Sequence, residues 1–186
     1  MRFQFISDIH LELLNKPQIK RITQMIQKRA EIMVLAGDIG NPFHPNYFEF
    51  LQLMSDKFTK IFLIAGNHEY YKNKIQPTKQ KITQLFPNIS FLDNSTEIYE
   101  NYNWIGTTQW SHISNINYEI NDTTMIPKMT IPLYNSLHVE SKLFLQESLN
   151  ASINKSIVIT HHLPFTQLID DNYKTYPMSN YSRRFR

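Results

Sequence analysis

The chain has no cysteine among its 186 residues, so neither a disulfide framework nor a thiolate metal site can form, and a reducing compartment is permitted without being required. No apolar run approaches the roughly 20 residues that a membrane helix needs. Met1-Arg2 leads straight into a strand pattern, with no leader-type apolar stretch behind a basic start. There is no internal repeat and no linker-like stretch, which argues for one domain over residues 1–186. A strong excess of one charge is missing too: 19 Lys and Arg stand against 16 Asp and Glu, a net +3. The basic residues are scattered apart from Lys72, Lys74, Lys79 and Lys81 and from Arg183, Arg184 and Arg186. That is a mild bias toward anionic partners and a poor footprint for nucleic acid. These absences lead to the expectation of a soluble, cytoplasmic protein with no membrane contact.

What the chain does have is one design used four times. A short apolar run at 61–64 stops at Ala65-Gly66 and delivers Asn67, His68 and Glu69. The run at 3–6 ends in Asp8-Ile9-His10, that at 32–35 in Gly37-Asp38, and that at 157–159 in Thr160-His161-His162. Ligands of open α/β sheets collect just beyond the carboxyl ends of the strands, where residues distant in sequence can meet.

The spacing of apolar residues fills in the rest. Strand 3–7 precedes a helix near 18–29, in which Ile19, Ile22 and Ile26 share a face and Pro17 suits the first turn. Strand 32–36, a helix near 45–57 and strand 61–65 continue a parallel α/β pattern. A helix at about 78–86 is expected between Pro77 and Pro87, with Ile82, Leu85 and Phe86 inward. Short β segments at 88–92, 97–99 and 104–107 suggest a switch to neighbouring, partly antiparallel strands. Residues 109–133 read as a long loop interrupted by Pro127 and Pro132, of the kind that forms functional lids. A helix over about 134–150 and a strand at 156–160 close the regular part.

The polar residues at the strand ends have the chemistry of metal ligands. Asp8 and His10, two apart on an extended segment, share a face and can chelate one divalent ion. Asp38 has two oxygens and can bridge two ions, Asn67 offers a neutral carbonyl oxygen, and His161 adds a nitrogen. A mixed oxygen and nitrogen set without sulfur suits Mn, Fe, Zn, Co or Ni. Two ions about 3.5–4 Å apart can polarise a phosphoryl oxygen and generate a nucleophile near neutral pH. His162 points to the opposite face from His161 and is read as a neighbour of the site, and Glu69 as structural. His44 and His112 lie in loops beside the expected cleft and are candidates for substrate contact.

Asp8-x-His10, Gly37-Asp38, Gly66-Asn67-His68-Glu69 and Thr160-His161-His162-Leu163-Pro164, in this order, resemble the blocks of the calcineurin-like metallophosphoesterase family. Gly106-Thr107-Thr108-Gln109-Trp110-Ser111, Asn121-Asp122 and His138 resemble landmarks of one bacterial-type branch, so the similarity spans about residues 2–180. The resemblance implies a four-layer α/β/β/α sandwich with two divalent metal ions at the strand ends, manganese being the first choice in vitro. It places Asp8 and His10 on one metal, Asp38 between both, and Asn67 and His161 on the other. It implies His68 beside the metals, stabilising the phosphoryl group and protonating the leaving oxygen, with a metal-bridging hydroxide as nucleophile. The implied reaction is hydrolysis of a phosphomonoester or phosphodiester, with a small phosphoester substrate favoured over nucleic acid.

One block of the family is absent. Relatives carry a late Gly-His-x-His, and none of the four glycines here, Gly37, Gly40, Gly66 and Gly106, is followed by His. Each metal then keeps three protein ligands, Asp38 counting twice, and the second sheet is open to being incomplete at its edge. Three explanations stand: a chain truncated at its C-terminal end, a partner chain or second copy that completes the metal site, or a catalytically inactive relative acting as a binding or scaffold module.

Overall fold

The computed structural model describes residues 1–83, 86–113 and 120–173. Two β-sheets stack face to face, with helices on both outer surfaces. The first sheet has four parallel strands in the order β1 (Phe3–Ile6), β2 (Ile32–Ala36), β3 (Lys60–Ile64) and β4 (Ile89–Phe91). The second has three: β5 (Ser95–Tyr99) runs antiparallel to β6 (Tyr102–Thr107), which runs parallel to β7 (Lys155–Thr160). The antiparallel switch is therefore confined to β5 and β6, and β4 extends the first sheet.

β2 and β3 are buried on both faces, which is why their sequences read as continuous apolar runs. Met33 and Leu35 of β2 and Ile61 and Leu63 of β3 face one way, into a core shared with Ile19 of α1 (Lys16–Met25) and Tyr47, Phe50, Leu51 and Met54 of α2 (Pro45–Lys57). Ile32, Val34, Phe62 and Ile64 face the other way, toward Trp104 and Ile159 of the second sheet. The Phe62 and Trp104 rings stack there at 4.1 Å. α3 (Ile75–Thr83) lies against β4, and α5 (Ile131–Ala151) covers β6. Helices, sheet, sheet and helix make the expected four-layer α/β/β/α sandwich.

The sandwich is open along one side. Phe3 and Phe5 of β1 are in register with Ile32 and Val34 and so share the face turned to the second sheet. Phe3 packs edge-on against Trp104, but Phe5 is 74% exposed, because β7 is the outermost strand of the second sheet on that side.

Some boundaries differ from the sequence expectation. The segment 109–133 is not all loop: α4 (Asn121–Met125) lies within it, and α5 begins at Ile131. Pro132 occupies the first turn of α5, where its missing N–H costs nothing, and the Thr130 side chain caps that turn by accepting the Leu133 N–H. A proline that reads as a loop marker is here a helix starter. α3 likewise starts at Ile75 and takes in Pro77; Leu85, expected to face inward, lies outside the described residues. No described helix is long and apolar enough to cross a membrane.

Candidate metal centre

The four strand ends converge. The chain leaving β1 is tied to the loop after β2 by backbone bonds: Asp8 N–H donates to the Gly37 carbonyl, His10 N–H to Asp38 and Leu11 N–H to Ile39. This pairing holds Asp8, His10 and Asp38 at φ of 56°, 52° and 52°. Three non-glycine residues in the left-handed region within one site are an unusual concentration of backbone strain, of the kind that gathers at functional centres. It also corrects one sequence expectation. Asp8 and His10 are not on an extended segment, so the two-residue alternation does not apply to them.

Their close donors divide instead into two sets with Asp38 in common: Asp8, Asp38 and His161 form one, and His10, Asp38 and His68 the other, the donor atoms of each lying within 4.8 Å of one another. Asp38 Oδ1 is 3.4 Å from His161 Nε2, and Oδ2 is 3.9 Å from His10 Nε2. One carboxylate thus turns an oxygen toward each side. The backbone N–H of His68 donates to Oδ1 at 2.9 Å.

His161 is oriented by its other nitrogen, as Nδ1 lies 3.0 Å from the Ala36 carbonyl. A proton on Nδ1 leaves Nε2, the atom facing Asp38, as the lone pair for an ion. Burial lowers the His161 pKa, but the Asp38 carboxylate outweighs it and brings the imidazole up to about 9. In Asp38 burial pushes upward, and the His161 hydrogen bond and charge hold the carboxyl below its usual range. His162 is half-buried, with its Nδ1 enclosed and unpartnered among the described residues, and desolvation and the neighbouring His161 push its pKa down to about 3.

Glycine is required where these groups pass each other. A Cβ on Gly66 would lie 2.1 Å from Asp38 Oδ1 and 2.7 Å from His161 Nε2. Gly37, at φ +87°, would put one 2.7 Å from His161 Nδ1.

Glu69 holds the loops together from beneath. Its carboxylate is fully buried and accepts four backbone N–H groups, those of Asp38 and Gly66 on Oε2 and those of Ile39 and Gly40 on Oε1. Burial and the nearby Asp38 charge push its carboxyl up to about 7, against the pull of those N–H groups.

Asn67 and His68 line a cavity of about 400 Å³, whose wall also includes Tyr71, Ser111, Tyr134 and His162. Asn67 sits at the start of a 3-10 turn over His68–Tyr70, but its side chain does not cap that turn. The His68 ring is edge-on to His10 at 4.4 Å and stacked on Tyr71 at 4.0 Å. Glu12, which sequence reasoning missed, puts Oε1 3.6 Å from His10 Nδ1 and 3.7 Å from His68 Nδ1. Its spacing, two residues after His10, was the available signal. His44 is not among the residues lining this cavity; its ring accepts the Asn46 N–H at the start of α2. His112 packs beside His138 and is not among the residues lining this cavity.

The donors fit a divalent metal. They are hard oxygens and imidazole nitrogens brought together on strained backbone, the His10 Nδ1 atom is buried without a hydrogen-bond partner among the described residues, and glycine keeps the space between Asp38 and His161 clear.

Comparison with known proteins agrees with this. An uncharacterized protein, L509, of Acanthamoeba polyphaga mimivirus is 35% identical over 205 residues, covering 94% of this chain and 72% of that protein. The crystal structure of a phosphopantetheinyl hydrolase from Mycobacterium tuberculosis superposes with a TM-score of 0.73 over 97% of this chain and 74% of that one; at 13% identity this is a likeness of fold. The model of the calcineurin-like phosphoesterases matches residues 1–184. With that match spanning nearly its whole length, the chain is a member of the calcineurin-like phosphoesterases.

Proposed function

We propose that the protein hydrolyses phosphomonoester or phosphodiester bonds with two divalent metal ions held by Asp8, His10, Asp38, Asn67 and His161. The observation that carries this reading is the placement of Asp38, whose two oxygens face two separate donor sets. When bound, such an ion pair supplies Lewis-acid polarisation of the phosphoryl group and activation of the attacking water. The chain's own residues do the rest. The His68 ring, fixed between His10 and Tyr71, faces the cavity and is placed to give a proton to the leaving oxygen as the phosphorus–oxygen bond breaks. The cavity receives the rest of the substrate. Its described lining contains tyrosines, isoleucines, Asn121 and Ser111 but no Lys or Arg, which favours a small phosphoester with an uncharged leaving group over a polyphosphate or nucleic acid. Mn, Fe, Zn, Co and Ni all suit the donor set, and availability selects among them.

The test is metal content together with hydrolysis of p-nitrophenyl phosphate and bis-p-nitrophenyl phosphate by the protein reconstituted with Mn²⁺. Near two ions per chain, and turnover that disappears in Asp38→Ala, are the expected results. Folded protein that takes up little metal and shows no turnover would instead make this a binding module on the phosphoesterase fold.

A further inference from the structure

Asp122 lies in the first turn of α4, where an aspartate ordinarily faces solvent, yet it is 6% exposed. Oδ1 accepts the Asn67 side-chain amide N–H at 2.7 Å and the Tyr71 hydroxyl at 2.8 Å. A group that only accepts is what two donors converging on one oxygen require. The short helix that carries it is fixed: Ile126 and Met129 just beyond it are in the main core, and the Met125 carbonyl accepts the Lys72 N–H at 2.7 Å.

The effect on Asn67 is specific. With its amide nitrogen committed to Asp122, the amide cannot turn over, and its carbonyl oxygen is left as the end available to a cation. Among the described residues nothing donates to that oxygen. The same carboxylate reaches His68 through Tyr71, whose hydroxyl it holds and whose ring stacks on the imidazole. Resting on the phosphoesterase reading above, we propose that Asp122 is the positioning residue of the site, locking Asn67 oxygen-first toward the metal and bracing His68 through Tyr71. Partners that orient a metal ligand in this way commonly change metal affinity or activity by about 10- to 100-fold when removed.

The experiment is titration of the protein with Mn²⁺, free ion being followed by its EPR signal, for wild type, Asn67→Ala, Asp122→Ala, the double variant and Asp122→Asn, with circular dichroism confirming the fold. Asp122→Ala is expected to weaken one of two Mn²⁺ sites by about 10- to 100-fold, the same site that Asn67→Ala weakens. The double variant should be no worse than Asn67→Ala alone, since Asp122 acts through Asn67. Asp122→Asn keeps an oxygen that can accept from Asn67 and should lose less than Asp122→Ala, but a measurable amount. Additive losses in the double variant, or Mn²⁺ affinity at the wild-type level in folded Asp122→Ala or in Asp122→Asn, would overturn the assignment and leave the phosphoesterase reading standing. A wild-type protein that binds no Mn²⁺ would remove both.

Discussion

Oε2 of Glu69 accepts the backbone N–H of Asp38 at 2.9 Å and that of Gly66 at 2.7 Å, so one carboxylate oxygen joins the loops after two neighbouring strands. Both loops carry proposed metal donors, and neither has another way to satisfy these buried N–H groups among the described residues. Glu69→Gln replaces one acceptor oxygen by a donor and leaves two N–H groups facing an N–H. The expected loss is roughly 2–4 kcal/mol of unfolding free energy, measured by urea denaturation, with Glu69→Ala at least as severe. A Gln variant as stable as wild type would show that the protein holds Glu69 protonated and needs only one acceptor.

Gly66→Ala tests the crowding between the donors. The added methyl would meet Asp38 Oδ1 and His161 Nε2 well inside contact distance, so one of them must move. Overpacking of this kind costs about 1–3 kcal/mol. Mn²⁺ affinity should fall more steeply than stability does, because the atoms displaced are the donors themselves, and calorimetric titration beside a thermal melt would separate the two.

The pH dependence of stability carries the signature of His138. This buried imidazole lies with Nδ1 2.5 Å from the Trp110 carbonyl, and burial holds its pKa below the ordinary 6.5. The unfolded chain therefore takes up a proton below about pH 6.5 that the folded chain refuses, and stability falls as pH drops through that value. The drop in melting temperature between pH 7.5 and 5.5 should be smaller in His138→Gln than in wild type. Equal drops would mean that His138 titrates normally.

Phe5 gives a prediction of little effect. At 74% exposure it contributes almost nothing by burial, so Phe5→Ser should change stability by less than about 0.5 kcal/mol. A loss several times larger at high protein concentration, fading on dilution, would show that a second copy covers this side of the sandwich.

The parts of this architecture that were legible in the sequence are those with one physical cause. β2 and β3 bury both faces, so their apolar runs are unbroken, and polar residues directly after such runs had to emerge at the sheet end. Asp38, Asn67 and His68 could be placed at the sheet end on that ground, and Glu69 could be assigned to structure. What escaped depends on tertiary pairing. The bonds from Asp8 and His10 to the loop after β2 force left-handed backbone that no local pattern announces. Asp122 sits in a segment with no clear period, and its burial comes from Ile126 and Met129 anchoring a five-residue helix. Pro132 could be read either as a break or as a first turn, and only the Thr130 cap decides.

The proposed donor set takes Asp8, Asp38 and Asn67 from the ends of one sheet and His161 from the end of the other. The interval between those donors is therefore the interval between the sheets, and that is set farther down the sandwich, where Trp104 lies flat on Phe62. The apolar interior acts as the spacer of a caliper whose jaws are the ligands. A change in its thickness at Trp104, a residue outside the proposed donor set, would shift His161 against Asp38, so the packing of the interior reaches the site through the two sheets.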